Sequence, residues 1–241
     1  MILTAALTFL SLLSPAEPQK KYDMATFTLV LVRPGAADKQ PEPEAETTVE
    51  AKHRSLLHGL AKRGKALVWG PIEATPDLLE VIVLNVPKAE EAQALLRTDP
   101  WIRSGARVLE THPWFAARGI LKPPAPDAPE AYATFGLLRR PADAPSFPKE
   151  KLDEIQKGHM ANIEAMAASG DLVIAGPLTD NATLRGVFVF RGTDQAHLRT
   201  LAGRDPAIQA NRLVLDLYAW ALHEGMLPAR EPELAPAGSK P

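Results

Sequence analysis

The chain has 241 residues, of which 46% are hydrophobic and 23% charged, a composition typical of a globular protein with one large domain or two smaller ones. Its 27 basic and 29 acidic residues give a formal net charge of −2, so the basic surface expected of a nucleic-acid-binding protein is not indicated. Cysteine is absent, which excludes disulfides, thiolate nucleophiles and cysteine-based metal sites.

The N-terminal segment differs in character from the rest of the chain. MILTAALTFLSLLSPA is an apolar run without a charged side chain, and Ser14 and Ala16 match the spacing of a signal-peptidase site. The run is too short to span a membrane, a positively charged n-region is missing, and Met24 is an alternative start. We expect residues 1–23 to be a signal peptide and leader, with a periplasmic or secreted mature protein that does not contact the membrane. Without a working signal the protein would be cytoplasmic.

The first half of the chain follows the order strand, helix, strand, strand, helix, strand. FTLVLVR is a predicted strand that ends before Pro34, and a helix over about Thr47–Arg63 ends at Gly64. KALVWGP and LLEVIVLNV are the next predicted strands. A helix near Lys88–Arg97 and a strand near Arg107–Phe115 complete this half.

The second half repeats that order. FGLLRR is a predicted strand that ends before Pro141, and a helix over about Pro148–Ser169 ends at Gly170. DLVIAGP and LRGVFVFRG are predicted strands, followed by a helix near Asp194–Gly203 and a strand near Leu213–Ala221.

A shift of 106 residues superimposes the two halves without a gap. The positions that match are His53 with His159, Gly64 with Gly170, Gly70 with Gly176, Pro71 with Pro177, Asp99 with Asp205, Pro100 with Pro206, Trp114 with Trp220 and Gly119 with Gly225. A match of this length without a gap indicates two homologous units.

The order of elements predicts an α+β fold of two ferredoxin-like βαββαβ repeats, each with an antiparallel sheet and both helices on one face. The second and third strands are apolar at nearly every position, which indicates burial on both faces. Because helices cover only one face, we expect the sheets to pack together in an intramolecular pseudo-dimer of the dimeric α/β-barrel type. The predicted domains are 24–121 and 132–227, joined by a proline-rich linker at 122–131 and followed by a disordered tail at 228–241. Further oligomerisation remains open.

Each repeat carries a histidine on the apolar stripe of its first helix, His53 and His159, and an aspartate at the same distance beyond it, Asp99 and Asp205. A buried imidazole needs a partner for its N–H, and a carboxylate would fix its tautomer and stabilise its charged form, as a general acid or base requires. Two other interpretations stay open. The histidine could be a core residue bonded to a backbone carbonyl, and aspartate before proline is common at turns.

Other site signals are weak. His53 and His58 lie about 140° apart around a helix, so they cannot share a metal ion. The sequence contains no glycine-rich phosphate loop, nucleophile elbow or Walker motif, and we expect neither a metal nor a cofactor. Trp114 and Trp220 lie near the ends of the last strands, where they are candidates for substrate contact or for packing.

The second repeat resembles the YCII-related (YciI-like) domain family. The residues that carry the resemblance are Gly158-His159, Ala175-Gly176-Pro177, Leu184-Arg185-Gly186, Asp205-Pro206-Ala207 and Trp220. It covers most of Tyr132–Leu227 and, more loosely, Phe27–Leu121. The resemblance implies a ferredoxin-like fold that pairs through its sheets and a His–Asp active site. It also implies lyase-like or isomerase-like acid–base chemistry on small organic molecules, with the reaction unassigned.

The two repeats differ in the polar residues that accompany the histidine. The Arg-Gly of the family's third strand is present as Arg185-Gly186, whereas the first repeat has Leu79-Glu80. Arg212, which the family often carries, aligns with Ala106. We expect Arg185 and Arg212 to bind an anionic or enolate-like group, although Arg185 could instead be a solvated charge at a strand end.

Two functions are consistent with the sequence. One is a small-molecule enzyme that uses the His–Asp pair for acid–base catalysis in a pocket between helix and sheet. The other is a non-catalytic binding or structural protein in which the pair belongs to the core. A repeated buried polar pair is costly unless it is satisfied or used, which favours the enzyme, with the second site as the functional one.

Export makes a direct prediction about the N-terminus. Cleavage after Ala16 gives a mature chain that begins near Glu17. Mass spectrometry of protein from the native host measures this end, and an intact Met1 or a start at Met24 would contradict export.

Overall fold

The computed structural model describes residues 22–180 and 183–230. Residues 1–21 of the predicted signal peptide and leader (1–23) and residues 231–241 of the predicted tail (228–241) lie outside the described residues. Among the residues described, no helix combines the length and apolar character needed to cross a lipid bilayer.

The first repeat contains four strands and three helices. They are β1 (Met24–Pro34), α1 (Pro43–Lys62), β2 (Ala66–Pro71), β3 (Glu80–Leu84), α2 (Ala89–Leu96), α3 (Pro100–Ser104) and β4 (Arg107–Ala117). A short 3-10 turn at Ala37–Lys39 precedes α1. Gly64 follows the end of α1 with a φ of 67°, the left-handed conformation that suits a glycine after a helix.

The second repeat has the same elements in the same order. They are β5 (Glu130–Arg139), α4 (Lys149–Ala168), β6 (Leu172–Pro177), β7 (Leu184–Arg191), α5 (Gln195–Ala202), α6 (Pro206–Gln209) and β8 (Val214–His223). The predicted βαββαβ order is confirmed in both repeats. The short helices α3 and α6 are additional, and each begins at the proline of an Asp-Pro pair that the sequence suggested as a turn. β5 begins at Glu130, inside the segment assigned to the linker.

Each repeat forms one antiparallel four-stranded sheet. The strand orders are β2-β3-β1-β4 and β6-β7-β5-β8. The edges of the two sheets meet at two places, where isolated bridges join Ile72 to Trp220 and Trp114 to Leu178. Through these bridges β2 lies beside β8 and β4 beside β6, so the sheets close an eight-stranded barrel with the helices outside, as the α+β pseudo-dimer prediction requires.

The repeated Gly-Pro pairs lie at the two edges where the sheets meet. A Cβ on Gly70 would be 1.8 Å from the carbonyl oxygen of Ala221, and one on Gly176 would be 2.1 Å from that of Phe115. The indole N–H of Trp220 donates to the Gly70 carbonyl at 3.0 Å, and that of Trp114 to the Gly176 carbonyl at 3.2 Å. Glycine is therefore needed here because the backbone of the other repeat occupies the space of a side chain.

The core is divided unequally between the repeats. One cluster fills the barrel and continues under the helices of the first repeat, for example through Leu57 and Leu60 of α1. A separate, smaller cluster lies under the helices of the second repeat and includes Met166, Phe188 and Phe190. Alternation along β7 explains the division, since its valines face the barrel while its phenylalanines face the helices.

The contact between the sheets predicts a large cost for Gly70→Ala. The added methyl group would collide with the Ala221 carbonyl, so we expect the free energy of unfolding to fall by about 3 kcal/mol. Gly59→Ala is the matched control, because a Cβ there meets only the Arg63 guanidinium at 4.0 Å. The control should stabilise the helix by about 0.5–1 kcal/mol. Urea unfolding measures both, and equal effects would contradict the assignment.

Candidate functional site

The second repeat brings His159 and Asp205 together. His159 lies on α4, and its Nδ1 is 2.5 Å from Oδ2 of Asp205, the residue that precedes α6. Asp205 is fully buried, and its other oxygen accepts the backbone N–H of Ala207 at 2.8 Å. Since an ionised carboxylate only accepts hydrogen bonds, Nδ1 carries a proton. Asp205 thus caps a helix and also fixes the tautomer of His159, so the turn and dyad interpretations are both satisfied.

Close packing of two helices holds this pair together. Gly158 precedes His159, and a Cβ at this glycine would lie 2.6 Å from Cγ of Pro206. The imidazole of His159 is also nearly parallel to the ring of Phe188, at 6.4 Å between centroids and an angle of 19°. The ring is therefore held on one side by Asp205 and on one face by an aromatic residue of β7.

A cavity of about 740 Å³ opens beside His159, between α4 and the helix-facing side of the second sheet. Its volume lies in the range of small-molecule sites. Apolar side chains form much of its wall, among them Leu152, Ile163 and Phe188, and two first-repeat residues, Met24 and Phe115, contribute to it. Nε2 of His159 makes no hydrogen bond to any described residue, so this nitrogen is available to a bound molecule.

Three arginines line the cavity: Arg140, Arg185 and Arg212. None of these guanidinium groups forms a salt bridge within the described part of the chain. Asp153 also lines the cavity, but its carboxylate is paired with Lys149 at 2.6 Å. The cavity therefore has an excess of positive charge and suits an anionic ligand.

Arg185 belongs to the cavity lining at a point where the sheet is irregular. Leu138 lies opposite Gly186, whereas the next residue, Arg139, lies opposite Leu184. Arg185 is thus an extra residue in β7, a bulge of the kind that redirects a side chain. The structure places the predicted Arg185 and Arg212 at one cavity and adds Arg140, which the sequence analysis missed. The available signal in the sequence was that Arg140, a charged residue, aligns with the uncharged Pro34 of the first repeat.

Trp114 and Trp220 do not belong to this cavity. Both are fully buried where the sheets meet, and their indole N–H groups are bonded to backbone carbonyls of the other repeat. Their expected role as substrate contacts is therefore incorrect for this cavity, and packing, the other interpretation of the sequence, accounts for them.

The first repeat contains the same dyad in a closed form. Nδ1 of His53 is 2.6 Å from Oδ2 of Asp99, and the other oxygen of Asp99 accepts the Trp101 N–H at 2.9 Å. The two oxygens of Glu80 lie 3.0 and 3.2 Å from Nε2 of His53. His53 is 4% exposed, and the space beside it is only about 10 Å³. His53 and Asp99, also predicted to be catalytic, are therefore brought together but not accessible.

Glu80 also determines the charge of His53. Burial by itself lowers the pKa of His53, but the charge of Glu80 and the hydrogen bonds to Asp99 and Glu80 outweigh this effect. Together they raise the pKa to about 10. The first dyad therefore holds an imidazolium between two carboxylates at neutral pH.

Four substitutions between the repeats account for the difference in volume. At four positions the second repeat has a residue that lines the cavity, and the first repeat has a larger or charged residue instead. The pairs, with the first-repeat residue given first, are Glu80 and Gly186, Trp101 and Ala207, Arg107 and Leu213, and Glu50 and Gln156. In the first repeat these side chains hold one another. Trp101 donates to Glu50 at 3.1 Å, and the Arg107 guanidinium lies 4.1 Å from the centre of the Trp101 ring. The second cavity is open because none of these large groups is present.

A further polar cluster lies where β4 meets the second repeat. Nδ1 of His112 is 2.6 Å from Asp180, and its Nε2 is 2.9 Å from Glu110, which also accepts a hydrogen bond from Arg33. Burial alone would raise the pKa of Glu110, but the hydrogen bonds from His112 and Arg33 hold it below its usual value. The contact between His112 and Asp180 links the two repeats. No group of three or more His, Asp or Glu side chains among the described residues is arranged to hold a metal ion.

Comparison with known proteins identifies the fold. No family model matches the chain, and no curated protein matches its sequence. A haem-binding protein from Thermus thermophilus has a TM-score of 0.54 at 11% identity, covering 84% of this chain and 93% of its own. A mutant chlorite dismutase from Candidatus Nitrospira defluvii has a TM-score of 0.55 at 10% identity, covering 84% and 92%. The chain shares the dimeric α/β-barrel fold of these proteins. This supports the fold that the YCII resemblance implied, but not that family itself.

The closed dyad predicts a pH dependence of stability. The pKa of His53 rises on folding from its ordinary value of 6.5 to about 10, so its contribution is complete below pH 6.5 and is lost as the pH rises through about 10. We expect the free energy of unfolding to decrease across this window, and less steeply in Glu80→Gln, which keeps the size of the side chain without its charge. Urea unfolding at a series of pH values measures both slopes. Parallel slopes would contradict the role of Glu80.

Proposed function

We propose that the protein is a small-molecule enzyme in which the His159–Asp205 pair of the second repeat performs acid–base chemistry on an anionic ligand. The observation that carries this proposal is the position of the pair. Its imidazole lines a cavity of about 740 Å³, and Nε2 has no partner among the described residues. Perturbed or paired titratable groups at such cavities are typical of active sites.

Each residue then has a separate task. Asp205 accepts the hydrogen bond from Nδ1, holds the tautomer in which Nε2 can take up a proton, and stabilises the imidazolium that forms. Nε2 exchanges this proton with the ligand. Arg185 and Arg212 bind the anionic part of the ligand and offset negative charge that develops on it. The apolar wall excludes water from the ring of His159.

The resemblance to YCII-related domains supports the same assignment. It implies a His–Asp active site and lyase-like or isomerase-like reactions, both of which involve proton transfer at a small organic molecule. Of the two dyads that the resemblance identifies, only the one containing His159 borders a cavity large enough for such a molecule.

Haem binding is a second candidate, because one protein with this fold binds haem and the donor set of the cavity fits that group. His159, held by Asp205, and the arginines of the cavity are the residues that would hold a haem, the histidine through its Nε2 and the arginines through their charge. When bound, the group would supply one-electron and oxygen chemistry. Both candidate functions use His159. They differ in the group at its Nε2, which is a small anionic ligand in the first and a haem in the second.

Proton exchange tests the first candidate. We expect the protein to catalyse exchange of the C3 protons of 2-oxo acids, which are adjacent to the ketone, for deuterium in D₂O, followed by proton NMR. His159→Ala should lower this rate by about 10²–10⁴-fold, because the acid–base group is removed.

Addition of haemin tests the second candidate, which predicts a Soret band that shifts on binding and is lost in His159→Ala.

His53→Ala is the matched control. It removes the equivalent histidine of the closed site and leaves two buried carboxylates without their cation, so it should cost about 3 kcal/mol of stability. The exchange rate of the folded protein should remain within twofold of the original. Equal losses of exchange from both substitutions, or none from His159→Ala, would contradict the proposed function.

A further inference from the structure

The first repeat contains an internal ligand for its own dyad. Glu80 extends from the beginning of β3 and places both carboxylate oxygens within 3.2 Å of Nε2 of His53. Glu80 is 4% exposed, and its carboxylate has a second cation, Arg107, at 3.8 Å. Glu80 thus occupies the side of the imidazole opposite Asp99 and completes a carboxylate–imidazolium–carboxylate arrangement.

The second repeat has the same framework without this group. The shift that superimposes His53 on His159 and Asp99 on Asp205 also places Glu80 on Gly186. Gly186 has no side chain, and it lines the cavity together with His159. Gly186 and His159 therefore border the same cavity, in which no side chain of the described residues takes the place of Glu80.

The acidic residues around the two dyads also differ, with more negative charge in the first repeat than in the second. In the first repeat Glu80 and Glu50 bring negative charge to His53 and Arg107. In the second repeat both glutamates are replaced by uncharged residues, Gly186 and Gln156. The arginines of the cavity have no anionic partner in the described part of the chain. The second site therefore lacks the negative charge that the first supplies from its own chain.

We propose that the ligand of the second site is a small carboxylic acid whose carboxylate binds Nε2 of His159 in the position that Glu80 occupies beside His53. This inference rests on the proposed function and specifies its substrate class. The carboxylate accepts a hydrogen bond from the imidazolium and lies between this ring and the arginines of the cavity, and the organic body lies against Leu152, Ile163 and Phe188. In the first site the side chain of Glu80 takes the place of this ligand.

Binding of this kind takes up a proton. A carboxylate placed between an imidazole and cationic groups stabilises the charged ring, as Glu80 does for His53. A carboxylate ligand should therefore increase the imidazolium form of His159 at pH 8, which ¹⁵N NMR of the histidine side chains observes directly. Propionate and benzoate are the probes, and propionamide and benzamide are uncharged controls of the same shape.

Wild-type protein gives the primary test. We expect propionate and benzoate to move the His159 ring nitrogens to imidazolium shifts at pH 8, with at least tenfold weaker effects from the two amides and no change at His53. Amides as effective as the acids, or acids without effect on His159, would overturn the assignment.

Substitutions at Gly186 provide a second test. Gly186→Glu supplies the carboxylate from the chain, so His159 should show imidazolium shifts without added ligand and its response to propionate should fall at least tenfold. Gly186→Gln has the same size without the charge, and it should block propionate without producing the imidazolium. A neutral His159 in a folded Gly186→Glu protein would overturn the assignment. A Cβ at Gly186 meets the Gly176 carbonyl at 3.1 Å, and if neither variant folds the wild-type titration decides alone.

The outcomes separate this inference from the proposed function. Carboxylates that charge His159 in a protein without proton-exchange activity would support the ligand class and contradict the enzyme. Exchange that depends on His159, in a protein whose His159 ring does not respond to propionate or benzoate, would support the enzyme and overturn the binding of a carboxylate at Nε2.

Discussion

An imidazole held by a buried carboxylate has one nitrogen satisfied and one that still needs a partner. Both repeats set this condition in the same way, with the aspartate that caps a short helix bonded to Nδ1 of a histidine on the long helix. A buried polar group without a partner costs about 1–3 kcal/mol, so each repeat must provide something for Nε2. The first repeat provides Glu80, and the second provides a cavity. The difference between a structural and a functional site follows from this single requirement.

Each sheet has two different sides, one that faces the interior of the barrel and one that faces the helices. One apolar cluster joins the inner faces of both sheets, and at Gly70 and Gly176 the backbones of the two repeats come into contact. The two His–Asp pairs lie on the side of each sheet that faces the helices, whereas the His112 cluster lies where β4 meets the second repeat. Duplication provided two such sides, and the site in the first repeat could become closed while that in the second stayed open.

Much of the fold could be predicted from the sequence because it depends on local patterns. The ungapped repeat, the strand and helix periodicities and the glycine after α1 each carry a direct physical meaning. The recurrence of His159 and Asp205 indicated a pair, with the core-histidine and turn interpretations left open beside it. The position of Trp114 and Trp220 could not be predicted, because an aromatic residue near a strand end has the same pattern whether it packs or binds. Their role became clear only once the Gly-Pro edges were seen to meet them.

Sequence patterns also could not predict that the first site is closed. Glu80 was visible as a charge in an apolar strand, aligned with a glycine, and this was the available signal. Its meaning depends on residues from three other elements, since Glu50, Trp101 and Arg107 fill the same space only after the chain has folded. Arg185 was named from its motif, but its place in the cavity coincides with a bulge that alternation along the strand does not reveal.

The central claim is that equivalent histidines differ in access, one closed by its own chain and one open to a ligand. Acylation by diethylpyrocarbonate, mapped by mass spectrometry of peptides, measures this access at each histidine of the folded protein. The account predicts that His159, which lines a cavity, reacts at least tenfold faster than His53, which is charged and buried between two carboxylates. Equal rates at the two positions, or faster modification of His53, would contradict it.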